Sequence, residues 1–469
     1  MKKNYVYGPT FEEMLHPEKI EPEIRKKALV AREKDILDPI NLYNITWKKP
    51  NGQVHYVVIP KAITGVDANI VVMSGNHFPT GCHKVGATYS VTMEYQLKGL
   101  IDPDEDTLVY PSTGNYGIGG AWAGTRMGYD SLVLLPLMMS KERFEKIDSF
   151  GARYIKTPGC ESNVKEIYDE CKRLAAASPK NKILNQFEVM GNYRFHYYVT
   201  GNSLVEAVKD LQSKGIGNGR AAAFVSSMGS SGTIAAGDRM KQEFYDAKIV
   251  GLEPTQCPTI YNNGYGGHDI QGIGDKHVTW IHNTQNMDAI MCIDDMECKK
   301  GLQLFYDPAG FEYLVKEAGV DEKQMEELQT LFGISGICNI LGAIKTAKYY
   351  GLTSSDNVVT VATDSIDRYY SVMNDLTAEF GKMDRTMAAV RLNSIFYGAK
   401  LDWIQEASVH TRNRWHNLKY YTWIEQQGKT IEELNAQKSQ EYWLKQQEGV
   451  KEFDAKLTQA RKSAVTAYC

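Results

Sequence analysis

From Val54 to about residue 375, short apolar runs alternate with stretches of helical periodicity, and few architectures can accommodate such an alternation. Runs at 55–59, 68–73, 107–110, 131–135, 153–156, 222–225, 249–252 and 358–361 have the length and texture of strands. Helical patterns lie between them at 141–150, 163–177 and 233–245. In the second, Val164, Ile167, Tyr168, Cys171 and Leu174 share one face. Strands joined by crossover helices form mostly parallel, twisted sheets covered on both faces, so the expected fold class is α/β.

The flanks differ in texture. Residues 1–55 are polar and weakly periodic and read as an N-terminal extension packed on the body. From 395 to 469 the chain is rich in Trp, Tyr, Gln, Lys and Glu at helical spacing and reads as a mainly helical C-terminal extension. A length of 469 residues allows two or three domains. The net charge of −4 gives no reason to expect a nucleic-acid partner. The eight cysteines include no C-x-x-C pair, which argues against a disulfide framework or a metal site and for free thiols in a reducing compartment. The opening Met-Lys-Lys-Asn-Tyr-Val-Tyr-Gly-Pro lacks the apolar core of a signal peptide, and no apolar stretch approaches membrane-spanning length. A cytoplasmic protein with no membrane partner is expected.

Three strand-to-helix junctions carry chemistry. Gly229-Ser-Ser-Gly-Thr233 follows one strand and opens a helix; backbone N–H groups and the positive helix end suit a phosphate there, and Ser230, Ser231 and Thr233 add hydroxyls beside Gly232. The sequence matches neither a nucleotide P-loop nor a dinucleotide fingerprint, and a plain Gly-rich turn is the bland alternative. Asn76-His-Phe-Pro-Thr-Gly-Cys-His-Lys84 places Lys84 at a helix start, where the dipole lowers an amine pKa; alone, such a lysine is usually inert. Ser112-Thr113-Gly114-Asn115-Tyr116-Gly117 offers small and amide groups suited to a carboxylate, or again a simple turn.

Together and in this order, the three junctions resemble the fold-type II pyridoxal-phosphate (PLP) enzymes of the tryptophan synthase β-like superfamily, over residues 55–375. The likeness is greatest to the cysteine synthase and cystathionine β-synthase branch. Ser112–Gly117 is similar to its T-S-G-N-T-G loop, His268-Asp-Ile-Gln-Gly-Ile-Gly274 to H-K-I-Q-G-I-G, Gly229–Thr233 to G-T-G-G-T, and Ser365-Ile-Asp-Arg-Tyr369 to S-G-E-R-Y. Asn185-Gln-Phe-Glu, with Thr200-Gly201 downstream, is similar to its Q-F…T-G segment.

The resemblance implies two α/β domains with PLP between them. Residues 56–84 and 201–394 would form the large cofactor domain and 85–200 the small substrate-loop domain. Lys84 would be the Schiff-base lysine and catalytic base. His83, Asn115, Gly229, Ser230, Ser231, Gly232, Thr233 and Ser365 would bind the cofactor, with Ser365 on the pyridine nitrogen. Ser112, Thr113, Gly114, Tyr116, Gln186 and Gly272 would face the substrate. The implied activity is β-elimination or β-replacement on cysteine, O-activated serine or a relative, through an aminoacrylate, by a lyase or transferase working as a homodimer with a thiol or other nucleophile as second partner. Serine/threonine deamination and a catalytically silent subunit are the alternatives.

Two departures stand out. The P-T-G-C-H-K setting of Lys84 is similar to tryptophan synthase β, but Ser112 stands where that branch needs glutamate. Tyr116 replaces the branch's Thr and would reshape the pocket. Cys82 reads mainly as a packing residue, and the arginines of 409–416 either fold over the site mouth or form a solvated, interface-forming helix.

Overall fold

The structure, a computed structural model, describes residues 5–112, 114–160 and 162–465. Among them, eleven strands build two sheets. The strands are β1 (Tyr56–Ile59), β2 (Asn69–Ser74), β3 (Thr107–Pro111), β4 (Asp130–Pro136), β5 (Arg153–Thr157), β6 (Asn181–Ile183), β7 (Ala221–Ser227), β8 (Lys248–Pro254), β9 (Ala289–Ile293), β10 (Asn357–Ala362) and β11 (Ile404–Glu406). The larger sheet runs β1-β2-β10-β7-β8-β9-β11; its interior pairs are parallel and its two edge strands antiparallel. The smaller sheet, β5-β4-β3-β6, is parallel throughout. The α/β reading therefore holds.

The interior strands are buried on both faces, as parallel strands under crossover helices must be. One face of the larger sheet packs under the helices Asp295–Tyr306 and Ile334–Tyr349, in a core that includes Val72, Val225, Leu252 and Ile340. The other face shares a core with the smaller-sheet region and with both extensions: Phe11, Leu42 and Trp47 from the N-terminal segment and Trp415, Phe453 and Leu457 from the tail belong to it. The extensions are thus part of the main core. They also meet: Asp454 accepts from the backbone N–H groups of Phe11 (2.7 Å) and Glu12 (3.0 Å), and Arg461 pairs with Glu13 at 2.7 Å. The tail, expected to be mainly helical, supplies β11 as well, an edge strand too short and polar to show a period.

The loops after β2, β3, β7 and β10 gather at the carboxyl ends of their strands, where open α/β sheets place ligands. The Arg412–Arg414 stretch is not at that mouth. Arg412 Nε donates to Met287 O (3.0 Å), and Arg414 donates to Ile260 O (3.0 Å) and Tyr261 O (2.6 Å), so both guanidinium groups brace loops instead of presenting an anion site. Among the described residues, no helix is long and apolar enough to cross a membrane.

Burial of histidine sets the acid response. Burial holds the imidazoles of His83 and His196 well below their ordinary value, lowers His55 to about 4, and lowers His77, His277, His282 and His416 to about 3. Unfolding frees these rings to bind protons below about pH 6.5. Glu253, Asp275 and Asp454, raised to about 7 by burial, act in the opposite sense, as do the raised carboxyls of Glu94, Asp238 and Glu297, but these six carboxyls are outnumbered by eight imidazoles, His268 included. The unfolded chain therefore binds more protons between pH 5 and 6.5, and stability present above that window falls as pH drops through it, by about 1.4 kcal/mol per pH unit for each net proton. Thermal melts at constant ionic strength are expected to show Tm falling from pH 7 to pH 5; a flat profile would contradict this.

Candidate active site

Lys84 is the first residue of the helix Lys84–Leu97, delivered by the loop after β2. That loop crosses the end of β10 closely: Gly75 N donates to Ala362 O at 2.8 Å, and a Cβ on Gly75 would come within 2.9 Å of Thr363 O. Lys84 keeps some accessible surface as part of a cavity wall, yet its amine lies deep in the protein. Burial lowers its pKa, against the weaker pull of Cys82 and Asp275, and so enlarges the neutral, nucleophilic fraction. Its Nζ donates to Ser230 Oγ at 3.2 Å.

Ser230 belongs to the Gly229–Thr233 turn after β7. Its Oγ also accepts from Asn192 Nδ2 (3.0 Å) and Gly232 N (3.4 Å), and Ser231 takes a left-handed backbone (φ 60°). The turn approaches its neighbours too closely for side chains at its glycines. A Cβ on Gly229 would lie 2.7 Å from Gly272 O, and one on Gly232 would lie 2.1 Å from Asn192 Oδ1. Gly229, Ser230, Ser231 and Thr233 line the cavity, whereas Gly232 faces Asn192.

Across the cavity, Ser112 Oγ accepts from Gly114 N and Gly117 N, both at 2.8 Å, and so shapes the turn that opens the helix Asn115–Arg126. Ser112, Gly114, Asn115, Tyr116, Gln186 and Gly272 complete the opposite wall. Thr113 lies outside the described residues. Asn115 donates to Asp364 Oδ2 (2.7 Å) and accepts from Arg368, which pins this turn to the loop after β10.

His83 and Ser365, both expected to touch the cofactor, lie outside the cavity lining. His83 is not in the cavity lining: its Nε2 is 3.0 Å from Thr233 Oγ1, and its ring stacks on Trp47 at 5.3 Å, so it orients a loop hydroxyl from behind. Ser365 is also outside the lining and spends its hydroxyl on Asp367 Oδ1 at 2.7 Å. Thr363, just beyond the end of β10 at Ala362, lines the cavity with its hydroxyl 2.7 Å from that of Ser335. Tyr116 does line the cavity, while its hydroxyl donates to Leu184 O at 3.1 Å and its ring lies against Tyr110. Cys82 is fully buried and its thiol is pushed up to about 11, consistent with packing.

Ser227, Ile273, Ser335 and Thr363 also line the cavity and were not anticipated. Lone hydroxyls at loop ends leave no pattern in a sequence. Among the described residues no group of His, Cys, Asp and Glu could hold a metal ion.

A proton-poor lysine amine, a glycine turn with no room for Cβ atoms and a row of hydroxyls suit a phosphorylated aldehyde. The comparisons agree with this geometry. Residues 56–320 match a family described as "Pyridoxal-phosphate dependent enzyme". A "Probable cysteine synthase" of Bacillus subtilis is 29% identical over 294 residues, 62% of this chain and 85% of that one. Cystathionine beta-synthase of Saccharomyces cerevisiae is 27% identical over 329 residues, 68% and 60% of the two chains. The crystal structure of cysteine synthase from Entamoeba histolytica shares the fold, with a TM-score of 0.59 at 22% identity over 73% of this chain and 92% of that one. With the family match covering more than half the sequence and taking in Lys84 and the Ser112–Asn115 and Gly229–Thr233 turns, the chain belongs to the pyridoxal-phosphate dependent enzymes.

Proposed function

We propose that this enzyme catalyses β-elimination or β-replacement on an amino acid such as cysteine or an O-activated serine. The observation that carries the reading is the Lys84 amine: it is made proton-poor by burial, held by Ser230 of the glycine turn, and faced by the Ser112–Asn115 turn across one cavity. Lys84 would hold PLP covalently, Gly229–Thr233 would take its phosphate, and the smaller-sheet turn with Gln186 would take the substrate carboxylate. The segment 85–200 then acts as the substrate-loop domain against the cofactor domain formed by 56–84 and 201–394.

When bound, PLP withdraws electrons from the substrate's Cα, and the protein selects which bond breaks. The Lys84 amine is the group placed to accept the Cα proton. The hydroxyls of Thr363 and Ser335, which line the cavity, would offer the bound ring neutral partners; a hydroxyl would not hold a ring nitrogen protonated as a carboxylate would, which favours loss of a β-substituent over transamination. Similarity to cysteine synthases and to a cystathionine beta-synthase supports sulfur chemistry at the β-carbon. The same reading takes the protein to be a cytoplasmic homodimer, on family likeness alone.

The test is an amino-acid screen of the holoenzyme, reading release of sulfide, acetate, ammonia and pyruvate. Sulfide or acetate release supports the proposal. Ammonia from serine or threonine with no thiol chemistry would replace it with a deaminase. The glycine turn gives a second check. Gly229→Ala pushes a methyl group against the backbone carbonyl of Gly272, which cannot rotate away. An overpacking cost of roughly 1–3 kcal/mol, borne at the cofactor site, should weaken PLP binding about 5- to 100-fold in a fluorescence titration while leaving far-UV circular dichroism unchanged.

A further inference from the structure

Buried carboxylates in this protein are, as a rule, satisfied. Asp238 accepts from Tyr193, Asn283 and Asn286. Glu253 accepts from Ile260 N and Tyr261 N, and Asp454 from Phe11 N and Glu12 N. Asp275 differs. It is 5% exposed, and neither of its carboxyl oxygens has a hydrogen-bond partner among the described residues. Its backbone is well held: Thr259 Oγ1 donates to its carbonyl at 2.9 Å, and the preceding Gly274 N donates to Met228 O at 2.8 Å. A loop fixed this firmly has left the carboxyl unpaired two residues beyond Ile273, which lines the Lys84 cavity.

The charged group that acts on Asp275 is Lys84, and each biases the other toward its charged form. The other titratable groups that sense Asp275 are Tyr168, whose hydroxyl is 3.0 Å from His277 Nε2, and Cys257. An ionised carboxylate without hydrogen bonds is costly to bury, so the carboxyl holds its proton up to about pH 7. Burial thus presses both the Lys84 amine and the Asp275 carboxyl toward their neutral forms.

We propose that Asp275 is the acid–base partner of Lys84, giving a proton to the group that leaves the substrate's β-carbon and taking one from the nucleophile that replaces it. The proposal rests on the β-elimination and β-replacement reading above. In elimination the Cα–H bond breaks and its proton passes to Lys84 Nζ. The electron pair moves into the Cα–Cβ bond as the Cβ–X bond breaks, and X departs with its bonding pair and the Asp275 proton as HX. Amine and acid have become ammonium and carboxylate, so the net charge of the cavity is unchanged and the new charges attract each other in a dry site. In replacement, H–Nu bonds to Cβ through Nu and returns a proton to Asp275, while Lys84 returns its proton to Cα.

The test compares the holoenzyme with Asp275→Asn and Asp275→Glu. Infrared difference spectra without substrate should show a protonated-carboxyl band that titrates near pH 7 and is missing from the Asn variant. Turnover is then measured with the amino acid found in the screen and with β-chloroalanine, whose chloride leaves without a proton. Asp275→Asn should lower kcat on the first roughly 100-fold or more, the usual scale of general acid–base catalysis, and leave β-chloroalanine nearly unaffected, with partial rescue by Asp275→Glu. Equal losses on both substrates, or no carboxyl band, would overturn the proposal and reduce Asp275 to a packing residue. If the unaltered enzyme turns over neither substrate, the function reading falls, and the infrared band alone decides whether Asp275 holds its proton in the resting enzyme.

Discussion

Lys84→Ala is expected to lower turnover by roughly a hundred- to ten-thousand-fold, the range over which a positioned general base contributes, and to abolish the visible absorbance of lysine-held PLP. The two readouts separate the roles assigned to this residue. Loss of the absorbance reports loss of covalent attachment. Loss of turnover that an added primary amine partly restores reports loss of the base. The fold should survive, because the Lys84 amine makes one hydrogen bond, to Ser230, and the helix it opens is held by Val85, Ala87, Val91 and Met93 in the core. Unaltered turnover would remove Lys84 from the mechanism and the function reading with it.

Lys419→Met should have the largest effect on stability. The Lys419 amine is fully buried and donates to Trp280 O (3.0 Å), His282 O (2.7 Å) and Gln437 Oε1 (2.6 Å). Methionine fills a similar volume and supplies no donor, leaving three buried acceptors unpaired at about 1–3 kcal/mol each, so a loss of roughly 3 kcal/mol or more is expected in urea unfolding. The consequence reaches the active site. The carbonyls held by Lys419 belong to a segment in which Thr279 Oγ1 donates to Ser230 O (3.0 Å) and Trp280 N donates to Phe187 O (2.9 Å), next to Gln186. PLP affinity should therefore fall in the same variant, before global unfolding. Stability within error of the unaltered protein would show that the tail does not buttress the site.

The strands and loops after β2, β3 and β7 were legible because each joins a short apolar run to a turn that holds glycine. The lysine, the phosphate turn and the Ser112–Asn115 turn could be read for the same reason. β9 escaped although Ala289-Ile-Met-Cys-Ile293 is apolar, because it follows an irregular segment instead of a helix. Ser365 was read from its likeness to S-G-E-R-Y, whereas Thr363, two residues earlier, lines the cavity and belongs to no such pattern. Asp275 and Lys419 could not have been found from sequence. A charged residue reads as solvated until packing removes the water, and what distinguishes these two is how their heads are paired: Lys419 with three acceptors, Asp275 with none among the described residues.

The hydrogen bond from Phe11 N to Asp454 spans 443 residues of sequence, which sets a schedule for biosynthesis. The helix Phe11–Leu15 has five residues, too few to hold its shape alone despite its Thr10–Glu13 capping box, and Phe11 N and Glu12 N find their acceptor, Asp454, only in the tail. At the usual 5–20 residues per second, the ribosome needs roughly 20–90 s to make the chain between them. For that time Phe11, Met14 and Leu15 have no finished surface to cover them. An early segment is thus among the last to settle, and nascent chains stalled before residue 454 should be the species most prone to bind chaperones or to aggregate.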